Sequence, residues 1–295
     1  MSTTKSLILL SAVFVVLSAC HVLDGTSSSI DEEQLNNIVF FGDTEIDHSN
    51  PFKMSRFERI VRNIVQFKPR AVFHTGDLVA DTENKQAWEV FNRVIKNIRD
   101  SSSFYPALGN HEKNSQWIWN DNWDLPNNEE YYSVDIDRLH VVVLHSNFGY
   151  LSEDPDNSAG RVQYDWLIAD LEEASAQDRD IILVFHHPLF STGKEHPGDE
   201  NGIGHVLLPL IHQYDIRLCV NGHNHAYEHI VVNGTHYLTT GGGGRSLYDQ
   251  GETKDYSIKY IKAYHHIVLI PKDDAFELWV YDIRLRVIDS FTIEL

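Results

Sequence analysis

Val220-Asn221-Gly222-His223-Asn224-His225 follows the apolar run Ile216-Arg217-Leu218-Cys219. An apolar run closed by a glycine reads as a buried strand and its turn, so the two histidines stand together at a strand's end with their rings in one volume. Histidine is the commonest metal ligand, and a buried pair without a metal needs hydrogen-bond partners for four ring nitrogens. Alone, the string is weak, because two surface histidines beside a turn are the commoner explanation. The rest of the chain decides between the two.

Four more short motifs close predicted strands upstream. Ile38-Val39-Phe40-Phe41 ends at Gly42-Asp43, and Ala71-Val72-Phe73-His74 ends at Gly76-Asp77. Phe104 to Leu108 runs into Gly109-Asn110-His111-Glu112, and Ile181 to Phe185 into His186-His187-Pro188. Asp43 and Asp77 lie 34 residues apart and Asp77 and Asn110 33, each the length of one β-α-β unit. Met54, Phe57, Ile60, Val61, Ile64 and Val65, and then Trp88, Phe91, Val94, Ile95 and Ile98, recur between them at helical spacing. Parallel strands joined by right-handed crossovers bring their carboxyl ends to one sheet edge, so the motifs converge. What converges is two carboxylates, an amide oxygen and three imidazoles. That supply is enough for two divalent ions with positions left for water and substrate, and one ion would leave ligands idle.

Further on, Val162, Trp166, Leu167 and Leu171 mark a helix and His205 to Tyr214 a shorter one, while Cys219 reads as a small core residue. The strands after the histidine pair (Ile230 to Val232, His236 to Thr239, Ile267 to Ile270, Phe276 to Tyr281 and Val287 to Thr292) are expected to form a second sheet with hairpin connections. Trp117, Trp119 and Trp123 lie in a tract, Ser115 to Tyr132, that reads as a long loop near the mouth of the site. Either they meet an organic leaving group or they pack on one another.

At 295 residues with 42% hydrophobic content, residues 37–295 are expected to form one large domain. The net charge of -19 repels polyanions, so nucleic acid is a poor ligand. The N-terminus has Lys5 and then an apolar run from Leu7 to Leu17, shorter than the roughly 20 residues of a membrane span, so residues 1–19 read as an export signal. Leu17-Ser18-Ala19-Cys20 resembles a bacterial lipobox, which implies a lipid on Cys20, a flexible tether over residues 20–36, and a lipoprotein anchored in the periplasm or at the cell surface. The alternative is a plain secretory signal.

The order Gly-Asp, Gly-Asp, Gly-Asn-His-Glu, His-His-Pro, Gly-His-Asn-His resembles the calcineurin-like metallophosphoesterases over about Ile38 to Leu295. From His186 through His225 the chain is most similar to small purple acid phosphatases. The resemblance implies an α/β fold, a two-sheet β-sandwich flanked by helices in αββα layers. It also implies two divalent or trivalent ions, manganese, iron or zinc, with Asp43 and His225 on the first, Asp77 bridging, and Asn110, His186 and His223 on the second. His111 would sit over the pair. Two departures stand out. Glu45 occupies the position of a usual histidine, where it is either an oxygen ligand favouring a harder ion or a solvated loop carboxylate, and Ala80 replaces the tyrosine that colours the purple enzymes.

The implied reaction on a small phosphate-ester substrate is in-line attack by a hydroxide shared between the ions, with His111 protonating the leaving group. His196 resembles a histidine that assists there, though its spacing from Pro188 is one residue longer, and Arg245 after Gly241 to Gly244 could contact phosphate, unless those glycines only make a tight turn. Strand alternation points His187 away from the site, and His74, His145 and His229 are expected to pack. Phosphate monoesters are the leading substrates. A phosphodiesterase acting on nucleotides or lipid head groups, and a non-catalytic metal-binding surface lipoprotein, are the competing readings.

Overall fold

Four consecutive apolar residues form β1 (Ile38–Phe41), and the strand's alternation divides them between two cores. Ile38 and Phe40 enter one apolar cluster, Val39 and Phe41 another, and all four are fully buried. The same division recurs in β6 (Asp180–Val184), where Ile182 and Val184 join the first cluster and Ile181 and Leu183 a third. A strand buried on both faces needs a layer on each side. This computed structural model describes residues 36–295 apart from 48, 113–118, 120–121, 128–129 and 199–201. The leader, Cys20, the tether up to residue 35 and Trp117 lie outside the described residues.

Two mixed sheets supply the layers. In the first, β1 pairs in parallel with β2 (Ala71–His74) and β2 with β3 (Ser103–Pro106). On the other side of β1 come β11 (His265–Pro271), β12 (Ala275–Asp282) and β13 (Val287–Glu294), all antiparallel. The second sheet runs β10 (Ser257–Ile261), β8 (Tyr227–Val232), β9 (Thr235–Thr240), β7 (Leu218–Asn221), β6, β5 (Leu139–Val143) and β4 (Tyr132–Ile136), with β5, β6, β7 and β9 parallel. Phe40, Phe73, Val141, Val184, Val220 and Leu269, drawn from both sheets, share the central core. Helices α1 (Pro51–Gln66) and α2 (Lys85–Arg99) cover the first sheet, and α3 (Ser158–Ala176) and α4 (Ile203–Gln213) the second. The αββα layering implied by the family resemblance is present.

The closing strands do not make a sheet of their own. The hairpin β8–β9 and β10 extend the second sheet beside β7, and β11 to β13 extend the first beside β1. β1 has β2 on one side only, and an apolar strand in a core cannot leave its other edge unpaired. β11 fills that edge, with Ile38 opposite Leu269 and Phe40 opposite Ile267. β10 is short and lies at the sheet edge with Ile258 exposed, so its brief alternation marks no buried strand. Trp119 packs on Trp123, and Trp123 on Phe104 and Phe91, all within the first sheet's outer core, so the two tryptophans pack and do not line a site.

His140, on β5, sits between two carboxylates: Nδ1 lies 2.8 Å from Asp135 Oδ1 and Nε2 2.9 Å from Asp170 Oδ2. Burial disfavours its protonated form, but the hydrogen bonds to Asp170 and Asp135 outweigh it and raise the pKa. A histidine raised on folding contributes stability that is complete below the unfolded value of about 6.5 and is lost as pH rises through the folded value. Urea midpoints should therefore fall from pH 6 to pH 9 more in the native chain than in His140→Gln. That variant should be about 1–3 kcal/mol less stable at pH 6, and identical pH profiles would refute the assignment.

Candidate metal centre

The motif residues come from both sheets and meet at the carboxyl ends of β1, β2, β3, β6 and β7. Asp43, Glu45, Asp77 and His223 all have positive φ, at 58°, 37°, 56° and 66°. Non-glycine residues adopt this region at a cost that the surroundings must impose, and such residues gather at functional sites. The imposing contacts are visible. Asp43 Oδ1 accepts from the His223 amide at 2.8 Å, and Asp77 Oδ1 from the His111 amide at 3.0 Å. A Cβ at Gly222 would run into Asp43 Oδ2, and one at Gly109 into Asp77 Oδ1, so neither glycine has a substitute.

Asp43, Asp77, His186 and His225 are buried, and Asn110, His111 and His223 are half-buried. His186 Nε2 lies 3.0 Å from Asn110 Oδ1, 3.2 Å from His223 Nδ1 and 3.3 Å from Asp77 Oδ2. On the other side, His225 Nε2 lies 3.5 Å from Asp43 Oδ1 and 3.2 Å from Glu45 Oε1. Asp43, Asp77 and His186 bring ligand atoms within 4.8 Å of one another, which joins the two halves. The outer ring nitrogens are already committed: His186 Nδ1 donates to Thr75 O at 2.8 Å and His225 Nδ1 to Ser246 O at 3.0 Å. An imidazole held in this way turns its other nitrogen inward, as metal-binding histidines do.

Burial and mutual charge govern the titratable groups of the site. Burial opposes a charge on His186, yet Asp77 and then Asp43 drive it up to about 10. Burial pushes Asp43 up to about 7 against the pull of His186 and His225. Burial also works against Asp77, but His186 holds it well below the usual carboxylate range. His223 is lowered by burial and by His186 and His187. Buried Asp43 Oδ2 has no hydrogen-bond partner. Carboxylate, imidazole and amide oxygens facing one another in this way suit two hard or borderline ions, so the residues present fit the implied pair.

Glu45 is not a solvated loop carboxylate. It is 2% exposed and within the site, with Arg245 Nε at 2.9 Å from its Oε2. Arg245 is thus held at the site's rim. His111 donates from Nδ1 to Ala80 O at 2.8 Å, and its Nε2 stands 3.9 Å from both Glu45 Oε1 and Asp77 Oδ2. The His196 ring lies 4.0 Å from the His223 ring and 5.4 Å from Tyr248. Gly241 to Gly244 do not form a tight turn between strands. They press backbone against the first motif, with Gly243 N donating to Gly42 O at 2.8 Å.

His187 departs from the expectation. β6 ends at Val184, so strand alternation no longer applies three residues on, and the ring turns back to 4.7 Å from His223. His186, His187 and His223 each bring a ring nitrogen within 4.8 Å of the others. His74, His145 and His229 pack elsewhere, against Phe41, Tyr150 and Phe291.

The sequence reading passed over two supports. Tyr248 stacks on His225 at 4.2 Å. Glu112, fully buried, accepts from the amides of Asp77 (3.0 Å), Leu78 (2.9 Å) and Gly109 (2.9 Å), clamping the second and third motifs together. Its place directly after Asn110-His111 was the available signal. Glu112→Ala should lower stability by about 3 kcal/mol, because three buried amides lose their acceptor. An unchanged denaturation midpoint would remove it from this role.

Residues 37–227 match the model of the calcineurin-like phosphoesterases. The chain belongs to that family. Among curated relatives it is 27% identical over 192 residues to purple acid phosphatase 21 of Arabidopsis thaliana, covering 57% of this chain and 42% of the relative. This phosphoesterase therefore spans less than half the length of that relative. Among solved structures, a purple acid phosphatase from yellow lupin seeds superposes with a TM-score of 0.74 at 20% identity, over 88% of this chain and 53% of that one. GAP50, the anchor in the inner membrane complex of Plasmodium, superposes with a TM-score of 0.70 at 17% identity, over 88% and 89%. At such identities the likeness is one of fold.

Proposed function

We propose that this phosphoesterase hydrolyses phosphate monoesters at a binuclear metal centre. The observation that carries the reading is the facing of Asp43, Glu45 and His225 by Asn110, His186 and His223 across Asp77. Two ions bound there would activate a shared water and neutralise charge on the phosphate oxygens. Asp43 and His225 would hold the first and Asn110, His186 and His223 the second, with Asp77 available to both. Glu45 adds an oxygen donor to the first position, which favours manganese or iron over softer ions. His111 stands with Nδ1 hydrogen-bonded and Nε2 turned toward the site, the arrangement a general acid for the leaving oxygen needs. His196, beside His223, assists at the same oxygen, and Arg245 meets the phosphate from the rim. With alanine at position 80, an iron-loaded protein would show no tyrosinate absorption.

We further propose that residues 1–19 direct export, that Cys20 carries a lipid, and that residues 20–36 tether the domain to a membrane in the periplasm or at the cell surface. Labelling of the native chain, but not Cys20→Ser, by a radioactive fatty acid in bacteria would be the expected result.

Elemental analysis should find two ions per chain, with turnover of 4-nitrophenyl phosphate exceeding that of bis(4-nitrophenyl) phosphate. The reverse order of rates would select the diesterase. Fold alone does not imply catalysis, as GAP50, described as an anchor, shares it. One ion or none, with no turnover after adding manganese, iron or zinc, would favour a non-catalytic lipoprotein.

A further inference from the structure

His187 has a second neighbour besides His223. Together with Ser146 and Asn147 it forms one end of a cavity of about 740 Å³ that runs out between the chain after β5 and the start of α4. This end of the cavity is bonded to the metal loops. Ser146 Oγ lies 2.9 Å from His187 Nδ1 and accepts from the amides of His186 (3.1 Å) and His187 (3.0 Å). Asn147 Nδ2 donates to Gly109 O at 2.9 Å, one residue from Asn110. The cavity therefore starts against the half of the centre formed by Asn110, His186 and His223.

Its far wall is built in advance of any ligand. Asn147 to Tyr150 make a turn closed by the Tyr150 amide donating to Asn147 O at 3.0 Å, with Gly149 at φ 86°. Buried Gln163 on α3 pins the chain on either side, accepting from the His145 amide at 2.8 Å and donating to His145 O at 3.0 Å and to Tyr150 O. Asn157 Nδ2 holds Gly149 O at 2.9 Å. On this anchored turn Phe148 is wholly exposed, and it lines the cavity with Leu151, Ile203 and Val206. Glu153 and Asp154 add negative charge, and among the described lining residues none is a lysine or arginine.

We propose that this cavity binds the alcohol portion of the ester and selects for an apolar or aromatic group carrying no negative charge. The inference rests on the phosphoesterase reading and adds to it the class of substrate. The His187 ring, 4.7 Å from that of His223, joins the centre to the cavity, and Phe148 offers a face on which a ring of the alcohol portion can stack at little entropic cost because its loop is already ordered. Glu153 and Asp154 repel a leaving group that is itself anionic, so nucleoside di- and triphosphates are disfavoured. An aromatic contact, one of the two roles open to the tryptophans, is offered in this cavity by Phe148.

Binding of non-hydrolysable phosphonates to the full chain loaded with manganese tests this without requiring turnover. By calorimetry, benzylphosphonate should bind roughly tenfold more tightly than methylphosphonate, and 4-carboxybenzylphosphonate should lose that advantage. Phe148→Ala, a change at a fully exposed side chain, should shrink the benzyl advantage to about threefold or less while leaving methylphosphonate unaffected. Equal binding of benzyl- and methylphosphonate, or a Phe148→Ala loss shared by both, would overturn the cavity's role. No binding of methylphosphonate to the native chain would instead overturn the binuclear reading, and the cavity inference with it.

Discussion

Asp77→Asn is expected to lower ester turnover by about a thousandfold and to bring metal content down from two ions toward one. The substitution keeps the shape, and an amide oxygen can still accept from the His111 backbone as Asp77 Oδ1 does. What it removes is the charge that both halves of the site share: Oδ2 lies 3.3 Å from His186 Nε2 and 3.9 Å from His111 Nε2. Stabilisation of transition-state charge by paired ions amounts to several kcal/mol, which sets the scale of the loss. Metal analysis and steady-state kinetics on one preparation would check it. Two ions with native turnover in Asp77→Asn would end the bridging assignment.

His111→Ala should lower kcat by about a hundred- to ten-thousandfold while both ions remain bound. The side chain is anchored by a 2.8 Å hydrogen bond from Nδ1 to Ala80 O, and its Nε2 faces Asp77 and Glu45 without closer contact. Burial works against its protonated form, but Asp77 and then Glu45 overcome it and raise the pKa. A general acid matters most when the leaving group is poor. The loss should therefore be larger for an alkyl phosphate than for 4-nitrophenyl phosphate, and an equal loss for both would point to positioning alone. Native turnover in His111→Ala would remove the residue from the chemistry altogether.

The loops that carry the site were legible because each has a local cause. An apolar run followed by Gly-Asp or Gly-His marks a strand end, and the 34- and 33-residue spacings mark crossovers, so Asp43, Asp77 and Asn110 could be assigned to strand ends without coordinates. Positive φ at Asp43, Asp77 and His223 is the structural counterpart of the neighbouring glycines, since a tight reversal needs both. Glu45, by contrast, could not be assigned from its own neighbourhood. Its burial depends on Arg245 and His225, 200 and 180 residues away.

The same distinction holds for the fold. The apolar runs of β1, β2 and β6 and the helical spacing in α1 and α2 come from interactions within a few residues, and the sequence by itself determined these elements, their order, and the convergence of the metal-type side chains. Which sheet a strand joins depends on open edges elsewhere. β11 lies beside β1 because that edge needs hydrogen-bond partners, a fact about strands some 230 residues apart. His187 turned toward the site because β6 stops at Val184, and Phe148 met the cavity because Gln163 on a distant helix holds its turn. Tertiary structure alone decided these points, because long-range pairing and packing have no local signature in the chain.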